Sequence, residues 1–401
     1  VPTDQLSKVV VVGAGVAGMR AAETLRLDGY DGDLTIVGAE RQAPYHRPPL
    51  SKKLLTGEVH RAGIDMAAQF DLGARVLRGA SAVGVDMSER TVAVRDENRD
   101  LALPFDGLVI ASGAVPRAWP GGPVPEGVLL LRTVEDCLAI RERLGARPRV
   151  VVVGGGFIGA EVAASCRSLG LDVVLVEKSG GLLSLALGEE MAPCWAELHR
   201  RHGVELRVGV GVDAFVGNGR VQGVRLTDGS QVPADLVVVG LGVTPATDWL
   251  RGSGLRIDDG VVCDATGAAE GVKGVVAAGD VARWWHPLYE RHLRIEHWDT
   301  AGRRGAAAAR TLLAGPDRAE TFDDVPYFWS DQYDVKVQML GVPADYDALE
   351  FVEGRPGAGG FVAAYGRGGR TVAVLGTIAD RVYAYRDAIA KRADFPPRRP
   401  D

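Results

Sequence analysis

The stretch Val9–Gly18, VVVVGAGVAG, carries the first spacing that can do chemistry. Gly13, Gly15 and Gly18 stand at G-x-G-x-x-G spacing, which lets backbone approach a pyrophosphate and places the phosphates at the next helix's N-terminus. A lone match of this kind fits an ordinary tight strand-to-helix turn equally well. The pattern then restarts: Arg149–Gly159, RVVVVGGGFIG, sets Gly154, Gly156 and Gly159 at the same spacing. An acid follows each copy. Glu40 lies about twenty residues past the first copy's last glycine, where a carboxylate accepts bonds from an adenosine ribose, or is simply an exposed loop acid. Glu177 closes the second copy directly at a strand end, a position that favours the free 2′-hydroxyl of NADH over the 2′-phosphate of NADPH.

Other residues with chemical potential are scattered along the chain. Arg47 and Lys52 end the stretch around Pro48-Pro49, where two prolines predict an extended backbone that stops helix formation until Leu50; this suits holding cations at fixed positions, with a proline-stiffened surface loop as the alternative. Ala277-Ala278-Gly279-Asp280 ends an apolar strand with an aspartate that either accepts from ribityl hydroxyls or caps a helix. Glu161 reads as a first-turn acid of the second fingerprint helix. Cys137, Cys166, Cys194 and Cys263 form no CxxC pair, which removes iron–sulfur, zinc-ribbon and local redox-disulfide readings. His286, His292 and His297 lack companion ligands at metal-binding spacing. Trp298, Trp329 and Tyr333 read on composition as core. Arg303, Arg304 and Arg310 read as a solvated basic helix face, with attraction of an acidic partner protein as the alternative.

The elements that must position these residues follow a repeat. Valine runs open each copy as strands buried on both faces. Helices are predicted over Met19–Leu27 and Ala160–Leu169, and partner strands over Leu34–Val37 and Val173–Val176. Short strands at Thr91–Val94 and Leu108–Ile110 lead to Gly113, as Leu236–Val239 leads to Gly240 and Gly242, with Asp228-Gly229 as a hairpin signal. So the chain holds a long internal repeat of dinucleotide-binding type. An alanine-rich helix over Ala301–Leu313 and a polar linker at 314–324, with Gly315-Pro316, follow. The remainder turns aromatic and β-branched, with strands predicted at Lys336–Gly341, Ala348–Val352, Gly360–Ala364 and Thr371–Gly376, a turn at Gly366–Gly369, a helix over 379–393 and a frayed end.

Bulk properties agree. At 401 residues, with 53 glycines and 46% hydrophobic residues, the chain is globular and long enough for two or three domains of ~150 residues each. A formal charge of −6 argues against broad nucleic-acid binding. No apolar run reaches the ~18 residues of a membrane span. Residues 1–8 lack signal-peptide form, so a cytoplasmic location is the expectation. Two dinucleotide sites in one chain suggest a permanently held FAD and a transient NADH brought face to face.

Together these features resemble the FAD-dependent NAD(P)H:ferredoxin/rubredoxin reductases that serve bacterial oxygenases and cytochromes P450. The resemblance covers nearly the whole chain. It is carried by RPPLSK (Arg47–Lys52), LRT (Leu131–Thr133), GGGFIGAE (Gly154–Glu161), AAGD (Ala277–Asp280), EHW (Glu296–Trp298) and YFWSDQYD (Tyr327–Asp334). It implies an α/β fold: two Rossmann-like domains of glutathione-reductase type and a small α+β C-terminal domain. The FAD domain would be discontinuous, 1–117 and 246–322, with an NADH domain at 118–245 and the C-terminal domain at 323–401.

The resemblance also implies residue roles. Gly13, Gly15, Ala17 and Gly18, with Glu40, would hold the FAD ADP; Arg47, Ala82, Arg132, Asp280 and Trp298 would line the FAD site. Lys52 would sit beside the flavin ring, pair with Glu161 and offset charge on the reduced ring; Trp329 would stack nearby. Gly156, Ile158, Gly159 and Glu177 would bind NADH, and Glu296 would lie near the nicotinamide amide. Arg304 stands where family members often carry glutamine. The partner implied is a 2Fe-2S ferredoxin or a rubredoxin, with no nucleic acid, no membrane and no metal, in a monomer or weak homodimer. A flavin-dependent NADH oxidase or quinone reductase, and a redox-sensing flavoprotein like apoptosis-inducing factor, are the alternatives.

Overall fold

Both valine runs become central strands. In the computed structural model, which describes residues 6–68, 70–97, 99–315, 318–357 and 359–400, each run is paired on both sides with parallel neighbours and its valine side chains are buried on both faces of the sheet. The first sheet runs Val275–Ala277, Gly107–Ile110, Lys8–Val12, Asp33–Gly38, Arg75–Arg78. The second runs Val128–Leu130, Leu236–Val239, Val150–Val153, Val173–Glu177, Glu205–Val208. Corresponding strands occupy corresponding places. In each sheet the chain order reverses beside the valine strand, the switch point at which open α/β sheets bind ligands.

The same aspartate clamps the valine strand in both copies. Asp106 Oδ2 accepts from Ser7 N (3.0 Å), Ser7 Oγ (2.6 Å) and Lys8 N (2.8 Å). Asp235 Oδ2 accepts from Arg149 N (3.0 Å) and Nε (2.9 Å). The Arg149 hydrogen bonds hold the Asp235 carboxyl down at about 2. At Asp106, burial pushes the carboxyl up, but the Ser7 and Lys8 donors outweigh it and the net direction is down.

The chain divides into two compact units. One contains 1–46, 65–115 and 244–328; the other contains 47–64, 116–243 and 329–401. The first unit adds a three-stranded antiparallel sheet over Ser81–Asp86, Thr91–Arg95 and Asp100–Pro104. The second adds a matching one over Val212–Val216, Gly223–Leu226 and Gln231–Pro233, and an antiparallel sheet in the order Tyr327–Gln332, Val335–Gly341, Arg370–Gly376, Gly360–Arg367, Ala348–Arg355. The α/β class with a small α+β end is therefore present.

Several local expectations change. The prolines at 48 and 49 do not extend the chain: Pro48–Ser51 is a 3₁₀ helix and Arg47 is already helical. Proline's fixed φ suits the first helical positions, where its missing N–H costs nothing. Glu161 lies beyond the first turn of helix Phe157–Ser168. Asp280 sits inside the 3₁₀ turn Gly279–Val281, with Ala278 in the cap position, so it is not an N-cap. The final helix is two, Ala379–Ala384 and Arg386–Ala390, parted at Tyr385, whose buried hydroxyl donates to Glu353 Oε1 at 2.9 Å. The late turn shrinks to Gly368-Gly369, both with positive φ. Pro316 of the expected linker, residues 1–5 and Asp401 lie outside the described residues.

In the first unit, helix Val16–Leu27 packs on helix Trp298–Ala314 through small residues. A Cβ on Gly305 would meet Ala17 O at 2.2 Å, whereas one on Gly302 would meet nothing nearer than Val16 Cγ2 at 3.5 Å. Gly305→Ala is expected to lower unfolding free energy by about 1–3 kcal/mol through overpacking. Gly302→Ala is expected to raise it by up to ~1 kcal/mol through helix propensity. Thermal denaturation of both variants checks this; shifts of the same sign would contradict the packing.

Candidate functional site

Both glycine turns are built alike. Gly13 and Gly154 have φ of +116° and +106°, and a Cβ on either would strike a carbonyl of the closing strand's continuation: Ala111 O at 2.0 Å and Gly240 O at 2.2 Å. Their N–H groups donate to Val37 O and Val176 O, each at 2.8 Å. A Cβ on Gly18 or Gly159 would meet the carbonyl of Gly13 or Gly154 at 1.8 and 1.9 Å. The middle glycines differ: around Gly15 and Gly156 nothing lies within 4 Å of a built Cβ. Each of these open residues is the N-cap of a 12-residue helix, with no side chain capping it. The arrangement leaves backbone donors and open space where a diphosphate fits.

The carboxylates differ between copies. Glu177 ends its strand and turns back on the glycines: Oε2 accepts from Gly155 N (2.5 Å) and Oε1 from Ser179 N (2.6 Å). Glu40 lies beyond the end of strand Asp33–Gly38 and accepts from the Tyr45 hydroxyl.

Within the first unit, Ala17 is buried in its helix, Ala82 lies in strand Ser81–Asp86, and Trp298 opens its helix with its ring tilted against His46 at 5.4 Å. Glu296 accepts from Arg294 at 2.5 Å. Thr300 Oγ1 and His297 Nδ1 are buried and have no hydrogen-bond partner among the described residues. Such atoms in a native fold call for a ligand or water. Arg304 is buried too; its guanidinium lies 4.2 Å from the Trp284 ring centroid and 4.8 Å from that of Phe322. Burial pulls it down to about 10. The expected basic helix face is consequently not a free one: Arg303 pairs with Asp299 and Asp324, and Arg310 with Asp28.

Within the second unit, the structure joins four of the singled-out residues in two pairs. Arg47 Nη1 donates to Arg132 O at 2.8 Å, beside the Thr133–Asp136 capping box of helix Val134–Leu144. Lys52 Nζ lies 2.7 Å from Glu161 Oε2 and donates to Pro48 O at 3.1 Å. Ile158 is half exposed, and the half-buried Trp329 ring has Lys336 Nζ 5.8 Å from its centroid.

Sequence reading missed the residues that complete the Lys52–Glu161 pair. Ser51 Oγ donates to Glu161 Oε2 at 2.5 Å, and Ser330 Oγ donates to Oε1 at 2.6 Å. Gln332 and His199 follow behind Ser330. The available signal was polar residues at alternate positions, Ser330 and Gln332, on the buried face of an aromatic strand. His199 stands four residues after buried Trp195 on an amphipathic helix.

Three imidazoles are kept neutral. Burial pushes His199, His286 and His297 each down to about 4 from 6.5. The unfolded chain takes up protons at these residues near 6.5, so it binds more protons than the folded chain between there and about 4. Stability is therefore expected to fall as pH drops through that window, with the Asp235 contribution lost lower, between about 4 and about 2. Thermal midpoints measured from pH 8 to pH 4 check this; a midpoint that rises on acidification from pH 7 to pH 5 would contradict it.

Comparison with known proteins agrees with this geometry. Residues 7–305 match the family model of pyridine nucleotide-disulphide oxidoreductases, and residues 327–399 match the reductase C-terminal model. The ferredoxin–NAD(+) reductase component of the anthranilate 1,2-dioxygenase system of Burkholderia cepacia is 38% identical over 373 residues, 91% of this chain and 89% of that protein. The covalent putidaredoxin reductase–putidaredoxin complex contains a chain 31% identical, with TM-score 0.90, covering 96% of this chain and 93% of that one. The ferredoxin reductase for the CYP199A2 system of Rhodopseudomonas palustris is 29% identical, with TM-score 0.91, over 98% and 97%. No helix among the described residues is long and apolar enough to cross a membrane. The chain belongs to the pyridine nucleotide-disulphide oxidoreductase family, among the ferredoxin reductases of bacterial oxygenase systems.

Proposed function

We propose that this chain is an NADH-dependent ferredoxin reductase. It moves hydride from NADH to bound FAD and hands the electrons on, one at a time, to a 2Fe-2S ferredoxin or a rubredoxin that feeds a P450 or a dioxygenase. The carrying observation is the pair of glycine turns, matched in the closest contact of each outer glycine and both open over the middle glycine. The Gly13–Gly18 turn takes the FAD diphosphate, with Glu40 toward the ribose, and the Gly154–Gly159 turn takes NADH. Bound FAD supplies a centre that accepts hydride and releases electrons singly.

The protein's own residues supply position and field. Lys52 would be the cation that offsets negative charge developing on the flavin ring, and Glu161 would keep that ammonium aimed. Thr300 Oγ1 and His297 Nδ1, unpartnered among the described residues, are proposed as further FAD contacts in addition to Ala82, Arg132, Asp280 and Trp298. Trp329 stacks near the ring, Glu296 serves the nicotinamide amide, and Ile158 flanks the NADH turn. Glu177 accepts from the adenosine ribose of NADH. Its oxygens already take one backbone N–H each, so their remaining lone pairs suit hydroxyls and repel a phosphate. Cysteine chemistry has no support among the described residues: all four cysteines are free, Cys137, Cys166 and Cys263 are buried and pushed up to about 12 by burial, and burial also pushes the half-buried Cys194 up. A cytoplasmic monomer or weak homodimer, divided at 1–117 with 246–322, 118–245 and 323–401, completes the proposal; separate family-model matches at 7–305 and 327–399 support a distinct C-terminal part.

The test is a flavin spectrum of the purified protein, then NADH and NADPH oxidation with ferredoxin, rubredoxin or cytochrome c as acceptor. NADH-driven reduction of the iron–sulfur protein is expected; a colourless protein that cannot be reconstituted with FAD would sink the proposal. Fast oxidase activity indifferent to any iron–sulfur protein would favour the oxidase reading instead. Lys52→Gln is expected to slow flavin reduction by about a hundredfold, the scale of losing one donor to developing charge. Glu177→Ser is expected to reduce NADH-over-NADPH preference by roughly tenfold or more; unchanged selectivity would remove Glu177 from the ribose site.

A further inference from the structure

Behind the Lys52–Glu161 pair runs a chain of hydrogen bonds, all within the second unit. Its direction follows from the carboxylate, which can only accept. Ser330 gives its proton to Glu161 Oε1 (2.6 Å), so its oxygen must accept from Gln332 Nε2 (3.2 Å). That orientation turns Gln332 Oε1 toward His199 Nε2 (3.0 Å), which must therefore carry the proton. A neutral imidazole has only one, so Nδ1 is bare and accepts from the Tyr333 hydroxyl (3.0 Å). Every donor from Tyr333 onward points at Glu161. Glu161, Ser330, Gln332 and His199 are buried, so the links from His199 to Glu161 are shielded from water, while Tyr333 at the far end is half-buried.

Tyr333 provides a second observation. It holds φ +57° in the tight turn between strands Tyr327–Gln332 and Val335–Gly341, a conformation that costs an aromatic residue energy and that persists where surroundings impose it. Its ring lies flat on His202, with centroids 3.6 Å apart and 4° between planes, and His202 Nδ1 meets Leu198 O at 2.8 Å. Arg167, which donates to His202 O at 2.7 Å, and Asp334, whose Oδ1 lies 3.9 Å from His202 Nε2, are charged neighbours at this end. The terminus of the chain is thus held from the helices Phe157–Ser168 and Ala192–Arg201.

We propose that His199 is a positioning residue for the flavin-reduction step: a fixed Nε2–H imidazole that orients Gln332 and Ser330, and through them holds the Glu161 carboxylate against Lys52. This rests on the function proposed above. The amide of Gln332 makes the chain an orienting device rather than a proton conduit, because a carboxamide passes a proton only by giving up its resonance. With His199 removed, Gln332 is free to turn, Ser330 can aim its proton elsewhere, and Glu161 loses one of its fixed donors.

The experiment is a coupled pair of substitutions in the flavin-loaded protein, with imidazole ¹⁵N NMR of the unsubstituted protein beside it. His199→Phe is expected to slow flavin reduction by NADH about tenfold, equal to ~1.4 kcal/mol, with NADH affinity unchanged. His199→Gln, which can restore a donor at the Nε2 position, is expected to recover most of that loss. In a Ser330→Ala background, His199→Phe is expected to change the rate by less than about twofold, because the route to Glu161 is already cut. NMR is expected to show His199 as the Nε2–H tautomer from pH 6 to pH 8, a result that stands even if His199→Phe does not fold. The Nδ1–H tautomer, additive losses in the two backgrounds, or an undiminished rate in His199→Phe would overturn the proposal. Failure of the unsubstituted protein to pass hydride from NADH to its flavin would instead overturn the proposed function, before any variant is compared.

Discussion

Burying an ammonium beside a carboxylate sets the terms for most of the second unit. The Lys52 side chain is 14% exposed and that of Glu161 4%, so both charges have left most of their water. Attraction alone does not repay that loss; further hydrogen bonds must, and removal of one partner from such a pair costs about 3–5 kcal/mol. The surroundings are arranged accordingly. The 3₁₀ turn Pro48–Ser51 presents Ser51 Oγ to one Glu161 oxygen and the Pro48 carbonyl to Lys52. Strand Tyr327–Gln332 presents Ser330 to the other oxygen. Ser165 Oγ donates to Ser51 O at 2.7 Å and fixes the turn to the helix that carries Glu161. Three separate stretches of sequence therefore meet on one carboxylate.

The two glycine turns solve one problem twice. Outer glycines allow backbone to approach backbone at distances no Cβ tolerates, and in both turns the middle glycine is left facing open space. Clamping aspartates at 106 and 235 start the valine strands in register, so the turns emerge at equivalent places in their sheets. The copies differ where the acid sits. Glu177 is tied to its glycine turn through Gly155 N, whereas Glu40 lies past its strand and is held by Tyr45.

What sequence reveals follows the range of the physics. Valine runs, spaced glycines and strand-end acids are local, and their strands and turns appear where periodicity and turn chemistry put them. Pro48 and Pro49 misled because proline both ends and begins helices, and the tertiary setting chose the second. The last helix breaks at Tyr385 because the buried side chain is held by Glu353, far away in sequence. Ser51, Ser330, Gln332 and His199 read as ordinary polar residues, since only the folded chain brings them to Glu161. Arg304 read as a surface charge on an alanine-rich helix, yet Trp284 and Phe322 enclose it. The pairing of Lys52 with Glu161 came from family resemblance alone; neither residue's neighbours in sequence announce the other.

A crystal structure of the protein with both FAD and NAD(+) bound tests the division of labour most directly. The FAD diphosphate is expected over Gly15, the NAD(+) diphosphate over Gly156, and the Lys52 ammonium against the flavin while still paired with Glu161. NAD(+) in the Gly13–Gly18 turn, or a flavin that leaves Lys52 and Glu161 untouched, would contradict the account.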